Sequence, residues 1–343
     1  MMKMIISKYY EKIKDVIKQN YKEFIFLVLF ACFCFYDTGY LIFKPGGIIG
    51  VEDRIEADIK YESKGSFNMA YVGMMEGNLP FYLLAKVIDS WTLVKTIDVT
   101  YNNKESIEDT YIRDDLAYKE AISNATIVAF DKANINYNIK KEDNYITYIS
   151  EKNNSDLKIG DILVSYDNTN FSDINEFINY VNLKKENDVI SLKIIRDGKE
   201  YIKDAKIYKE NDKLFVGLSV SKIKDVQSEY NLSVKKKNSE SGPSGGLIMA
   251  LSIYDAITKK DITNGLKIVG TGTINIDGSV GEIGSVEYKL AGAVKENADL
   301  FICPKEIEEI ALKYAKDKNY DIIIKGVSSF DEALTILENI KEK

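Results

Sequence analysis

Histidine is absent from all 343 residues, and this removes several mechanisms at once. Ser-His-Asp and Cys-His nucleophile pairs, HExxH zinc sites and histidine general bases are all excluded. Acid–base chemistry must therefore draw on Lys, Asp, Glu, Tyr or Cys. Cysteines number three: Cys32 and Cys34 lie in an apolar run, and Cys303 lies in a predicted buried strand, Leu300–Pro304. That arrangement gives neither a disulfide framework nor metal-ligand spacing. A basic face is lacking too, because the net charge is −7 and the pI near 5.1; phosphate neutralisation needs clustered positive charge, so nucleic acid is set aside as a partner. No Walker A sequence is present, since the Gly198-Lys199 pair is followed by Glu200. Nothing in the sequence asks for a cofactor. With only 4 prolines, 45% hydrophobic and 29% charged residues, the composition is globular, and the length predicts two or three domains.

The N-terminal stretch carries Lys3, Lys8, Lys12, Lys14, Lys18 and Lys22 against Glu11 and Asp15, and is followed by an apolar run from Phe24 to Phe43. About 20 apolar residues suffice to span a bilayer. The lysines place the N-terminus in the cytoplasm, and the residues after about 44 outside it. Three other readings stay open: a cleaved signal peptide, although no small-residue site follows the run; a lipoprotein site at Ala31-Cys32; and a buried globular helix. Asp37-Thr38-Gly39 within the run matches the aspartic-peptidase triplet, but without a second triplet it reads as coincidence.

Downstream, Ile55–Tyr61 and Phe67–Val72 alternate around Lys64-Gly65, which predicts a β-hairpin. A charged helical pattern over 106–132 suits a connecting helix. Ser172 is a candidate N-cap, with Ile174, Phe177, Ile178 and Val181 on a core-facing stripe. Ile194–Lys199 reads as a strand and hairpin turn. Leu157-Lys158-Ile159-Gly160-Asp161-Ile162-Leu163 resembles the LxxGDxI segment of PDZ domains of the bacterial protease type. That resemblance implies an extended peptide adding to a sheet edge. A glycine-flanked carboxylate loop is not visible before Tyr145–Ile149, so capture of a C-terminal carboxylate is not implied.

The chemistry concentrates in Glu240-Ser241-Gly242-Pro243-Ser244-Gly245-Gly246, which leads into a helix that is apolar on nearly every face. Ser244 stands where a tight turn enters that helix, near unpaired amides that could hold an oxyanion. An N-cap serine would look the same. A hydroxyl nucleophile without imidazole needs a neutral lysine, and lysine serves only where burial lowers its pKa. Lys289 lies one turn from Val286 and Ala293, on the flank of an apolar stripe; a snorkelling lysine would share that spacing.

GPSGG around Ser244, Val269-Gly270-Thr271-Gly272-Thr273-Ile274, Asp277–Gly284 and Lys289 in VEYKLAGA resemble, in order and spacing, the proteolytic domain of the Lon family. The resemblance implies Ser244 as nucleophile, Lys289 as general base and later acid, and Thr271 as the hydroxyl that orients the lysine, with Gly242, Pro243 and Gly245 supporting the turn. Three departures stand out. The acidic residue usual before the Gly-Pro-Ser turn is displaced to Glu240, GPSAG is GPSGG, and the Asn often found after the Cys303-Pro304 strand is missing. The whole order is similar to the membrane-anchored PDZ-Lon peptidases of Gram-positive bacteria.

The expected architecture is α+β and multidomain. A cytoplasmic tail and transmembrane helix (1–44) precede a β-rich extracytoplasmic segment with a connecting helix (45–134), a PDZ-like domain (135–210) and a Lon-type α/β proteolytic domain (211–343). The expected function is ATP-independent serine endopeptidase action on exported proteins or peptides at the outer face of the cytoplasmic membrane, with flexible segments as substrates. Ring-like self-association is implied by analogy with Lon domains. The alternative is a catalytically inactive, membrane-tethered PDZ adaptor.

Overall fold

A computed structural model of the protein describes residues 14, 17–102, 104–237 and 240–340. Lys3, Lys8 and Lys12 of the expected cytoplasmic tail lie outside the described residues. The chain divides into two compact units, residues 1–44 with 74–98, and residues 45–73 with 99–343.

In the first unit the expected span Phe24–Phe43 is not one helix. A 15-residue helix, Tyr21–Phe35, is followed by a strand that begins at Asp37. The break is local chemistry. Gly39 adopts a positive φ of 71°, its amide donates to Asp37 Oδ1 at 2.9 Å, and Tyr40–Phe43 pairs antiparallel with Thr92–Lys95. The aspartic-peptidase-like triplet thus opens a strand, kinked locally at Gly39. At 1.5 Å per residue the helix is about 22 Å long, short of the ~30 Å of a hydrocarbon core. Among the described residues, no helix is long and apolar enough to cross a membrane. A second short helix, Leu79–Ala85, carries Pro80 in its first turn.

The second unit holds two cores. One belongs to the PDZ-like region, whose sheet runs in the order Leu218–Ser228, Tyr137–Ile149, Ile162–Tyr166, Val189–Arg196, Lys199–Lys206. Ile146, Leu163, Ile190, Leu192 and Ile194 pack there with Phe177 and Val181 of the helix Ile174–Asn182. Asp173 rather than Ser172 caps this helix, accepting from Asn175 N. Ile178 is exposed rather than core-facing. The Gly160-Asp161 pair has a clear structural use: Gly160 takes φ 95°, and the buried Asp161 receives both Nε and Nη2 of Arg196 at 2.6 and 2.7 Å. The turn at Asp197-Gly198 has both residues at positive φ, as a two-residue hairpin requires. The sheet extends beyond the expected boundary at 210, because Leu218–Ser228 pairs along Tyr137–Ile149.

The other core is built on a parallel ladder in which Ile323–Val327, Leu300–Pro304, Lys267–Gly270 and Ser66–Met69 are successive neighbours. Period-2 alternation sends Ile268, Leu300 and Ile302 to one face and Val269, Phe301 and Cys303 to the other. Both faces are covered, as parallel sheets require. The first face packs against the helices Gly246–Ile257 and Ile107–Ala133, the second against Val286–Lys295 and Glu308–Lys318. The helix Ile107–Ala133 begins with a capping box between Ser106 and Asp109.

Two sequence expectations change here. The hairpin around Lys64-Gly65 does not form, because Ile55–Glu56 pairs with Ser233–Val234 and Ser66–Met69 with Lys267–Gly270. Alternation announced strands but could not name their partners. The division into separate segments 45–134 and 211–343 also fails: Val51, Ile55, Phe67, Met69 and Tyr118 to Phe130 share one core with Leu247 to Leu337. The PDZ-like region is therefore an insertion between two halves of one folded body.

Candidate active site

The Gly242–Gly246 turn is fixed from several sides. Gly242 has φ 81°, a conformation that favours glycine, and its amide donates to the Asp114 carbonyl of the long helix at 2.8 Å. The Pro243 carbonyl accepts from Gly246 N at 3.1 Å, closing the turn, while Pro243 itself stays exposed. Ser244 is half-buried at the entrance to the helix Gly246–Ile257, whose N-cap, Gly245, makes no side-chain capping bond. A Cβ on Gly245 would meet Met69 Sδ at 2.3 Å, so the departure from alanine at this position is matched by a methionine occupying the space.

The segment after strand Lys267–Gly270 is stitched to this turn. Thr271 N donates to Ile302 O at 2.9 Å, Gly272 N donates to the Ser244 carbonyl at 2.7 Å, and Leu247 N donates to the Gly272 carbonyl at 3.0 Å. The fully buried Thr271 adds its hydroxyl as a second donor to the Ser244 carbonyl, at 3.1 Å. Lys289 enters from the helix Val286–Lys295, flanked by buried Val286, Leu290 and Ala293. It is 5% exposed, and its Nζ donates to Thr271 Oγ1 at 3.0 Å. Burial, the only cause at work, pushes its pKa down to about 8 from 10.5. Since the Thr271 proton is committed to the Ser244 carbonyl, the threonine oxygen can only receive from Lys289. Threonine therefore leaves the lone pair of a neutral amine free.

Ser244, Thr271 and Lys289 are thus joined by two successive hydrogen bonds, and Gly242, Pro243 and Gly245 form the turn beside them. Sequence reasoning missed what braces the site. Glu240, the displaced acid, is buried and makes an ion pair with Arg54; Tyr118 OH donates to the same oxygen at 3.2 Å, and Lys237 N at 3.3 Å. Burial, followed by the Glu240 charge, pushes the Tyr118 phenol up to about 12, so it stays a donor. A signal was available. The chain has only three arginines, and each pairs with a nearly buried acid: Arg54 with Glu240, Arg113 with Glu105, and Arg196 with Asp161. Arginine's fixed fork suits buried pairs better than lysine's flexible ammonium.

The family model for the Lon protease (S16) C-terminal proteolytic domain matches residues 235–338. Residues 235–338 form a Lon-type proteolytic domain. Lon protease 2 of Borreliella burgdorferi is 24% identical over 202 residues, which is 49% of this chain and 25% of that protein. The chain therefore spans about a quarter of the length of that relative. Among solved structures, the PDZ domain of an SdrC-like protein from Listeria monocytogenes is 19% identical, covering 24% of this chain and 92% of its own, with a TM-score of 0.22. The second domain of another Listeria protein is 21% identical, covering 25% and 89%, with a TM-score of 0.21. The matched span 235–338 leaves out the Val51 to Phe130 elements that complete the core of the Lon-type domain.

Proposed function

We propose that this protein is a membrane-tethered, ATP-independent serine endopeptidase that uses a Ser244/Lys289 dyad. The observation that carries the reading is a buried Lys289 amine that donates to the Thr271 hydroxyl, which itself bonds the backbone of Ser244. Neutral Lys289 takes the proton of the Ser244 hydroxyl as its oxygen attacks the peptide carbonyl. The oxyanion is received by backbone amides of the turn at Ser244 and Gly245, since the Gly246 and Leu247 amides already donate to the Pro243 and Gly272 carbonyls. The lysine ammonium then protonates the leaving amine and an acyl ester on Ser244 remains. Water, deprotonated by Lys289, hydrolyses that ester, releasing the acid and restoring the serine.

The PDZ-like region would grip an extended peptide along a sheet edge. With no Walker A sequence among the 343 residues, flexible segments are the fitting substrates. Tethering is supported by the apolar run Phe24–Phe43, its lysine-rich flank and the exposure of nearly every side chain of the helix Tyr21–Phe35. The lysine flank favours an extracytoplasmic catalytic domain. The test is cleavage of unstructured peptides by the full chain, wild type against Ser244→Ala and Lys289→Ala. Equal rates in all three would leave the tethered adaptor as the better reading.

A further inference from the structure

Apolar surface in the first unit is not confined to the helix Tyr21–Phe35. The short helix Leu79–Ala85 and the residues after it expose Phe81 (40%), Leu83 (47%), Leu84 (47%) and Val87 (79%). Phe81, Leu83, Leu84 and Val87 thus form one broad apolar patch on the segment, next to the helix Tyr21–Phe35 that is exposed along nearly its whole length. The two helices are joined directly: Leu79 N donates to the Tyr36 carbonyl at 3.0 Å, immediately after the first helix ends.

Around this apolar tip stand amphipathic side chains. The Tyr82 ring packs on Tyr40 at 5.2 Å, with Lys86 Nζ 4.6 Å from the Tyr82 centroid, and Lys44 Nζ lies 5.3 Å from the Trp91 ring. Tyrosine, tryptophan and lysine with an apolar body and a wet end are the composition of the headgroup level of a bilayer. Seven residues of helix reach about 10 Å and cannot cross a hydrocarbon core. Exposed Asp89 on the same segment also favours the interface over the interior.

We propose that the segment Leu79–Trp91 is a second membrane contact, seated in the headgroup zone beside the apolar helix, so that the first unit holds the bilayer at two points. The proposal rests on the reading of Tyr21–Phe35 as membrane-embedded. Lipid is the fitting occupant because the patch continues an apolar helix exposed on nearly every side, which one protein face could not cover, and is rimmed by Tyr82, Lys86, Lys44 and Trp91 with apolar bodies and wet ends.

Trp91 is the sole tryptophan, so tryptophan emission excited beyond the tyrosine absorption band reports this segment alone. The full chain is reconstituted with phosphatidylcholine–phosphatidylglycerol vesicles, and flotation is scored separately from quenching by lipids brominated near the headgroup or near the terminal methyl. The expected result is flotation, a blue-shifted Trp91 emission, and severalfold stronger quenching by the shallow bromines. A Phe81→Ser/Leu84→Ser variant should still float but lose most of that quenching. Flotation with unquenched Trp91 overturns the second contact and leaves the anchor standing. Equal or stronger quenching by the deep bromines overturns the interfacial placement. Failure of the wild-type chain to float overturns the anchor, and this inference with it. A blue shift that depends on protein concentration, without quenching, assigns the surface to a second copy and overturns the lipid reading.

Discussion

Arg54 and Glu240, 186 residues apart in the chain, close onto each other inside the Lon-type core, with the Tyr118 phenol on the same carboxylate oxygen. Arg54 also donates from Nε to the Gly50 carbonyl at 2.9 Å. The pair therefore ties the segment before strand Ser66–Met69 to the loop that ends in Ser244. An acid that has moved away from the catalytic turn is used to hold that turn in place.

Removing one partner leaves the other charge buried and unpaired, which costs about 3–5 kcal/mol. Arg54→Met and Glu240→Gln should each lower the urea midpoint. The double variant should be less destabilised than the sum of the two. A double-mutant cycle that sums to additivity would mean that the pair carries no coupling.

Thr271→Val keeps the shape of the side chain but deletes the oxygen that receives Lys289 and the proton given to the Ser244 carbonyl. Loss of orientation at a reacting group can cost on the order of 10²-fold. The expected outcome is a fall of roughly that size in kcat, with little change in KM, and restoration by Thr271→Ser. Steady-state peptide cleavage by the three proteins decides it, and a Thr271→Val enzyme of normal kcat would remove threonine from the mechanism.

Burial sets the sign of the pH dependence. The base form of Lys289 is the neutral amine, so cleavage should rise with pH through about 8 and level off above it. Stability follows the same group. Between about 8 and 10.5 the unfolded chain binds the proton that the folded chain refuses, so this residue's contribution to stability increases with pH across that window and is constant below it. At neutral pH, charging the buried amine costs on the order of 3 kcal/mol. Lys289→Met should therefore be inactive yet at least as stable as wild type at pH 7, with the difference shrinking toward pH 10. A Lys289→Met variant that melts well below wild type at pH 7 would contradict it.

Local signals in the sequence located what is local in the fold. The apolar run after Gly246 is a buried helix, the Ser106–Lys132 pattern is a capped helix, and Asp197-Gly198 is a hairpin turn. Ser244, Thr271 and Lys289 can be picked out because motif spacing does not depend on contacts; in the structure Lys289 bonds the Thr271 hydroxyl, which bonds the main-chain carbonyl of Ser244. What could not be read is long-range pairing. Alternation in Phe67–Val72 fits a hairpin as well as a parallel strand, and the choice was made by Lys267–Gly270, far along the chain. Hydropathy likewise counted Phe24–Phe43 as one span, because it sums apolar character and does not register the change from helix to strand at Tyr36–Asp37. The Arg54–Glu240 brace left a compositional trace, the scarcity of arginine, but no local pattern.

Gly245 gives a steric test of the altered turn. Its missing Cβ leaves room for the Met69 thioether, 2.3 Å from where that carbon would stand, and Met69 comes from the strand that only the folded core brings near. Overpacking of this kind costs about 1–3 kcal/mol, although a methionine can swing aside for part of it. Gly245→Ala should lower stability within that range and slow cleavage by displacing Ser244, its neighbour in the turn. Pairing it with Met69→Val, which withdraws the sulfur, should recover more stability than Met69→Val alone would predict. Thermal melts of the four proteins measure the coupling. If Gly245→Ala is neutral by itself, methionine mobility absorbs the added carbon and the glycine is not required by packing.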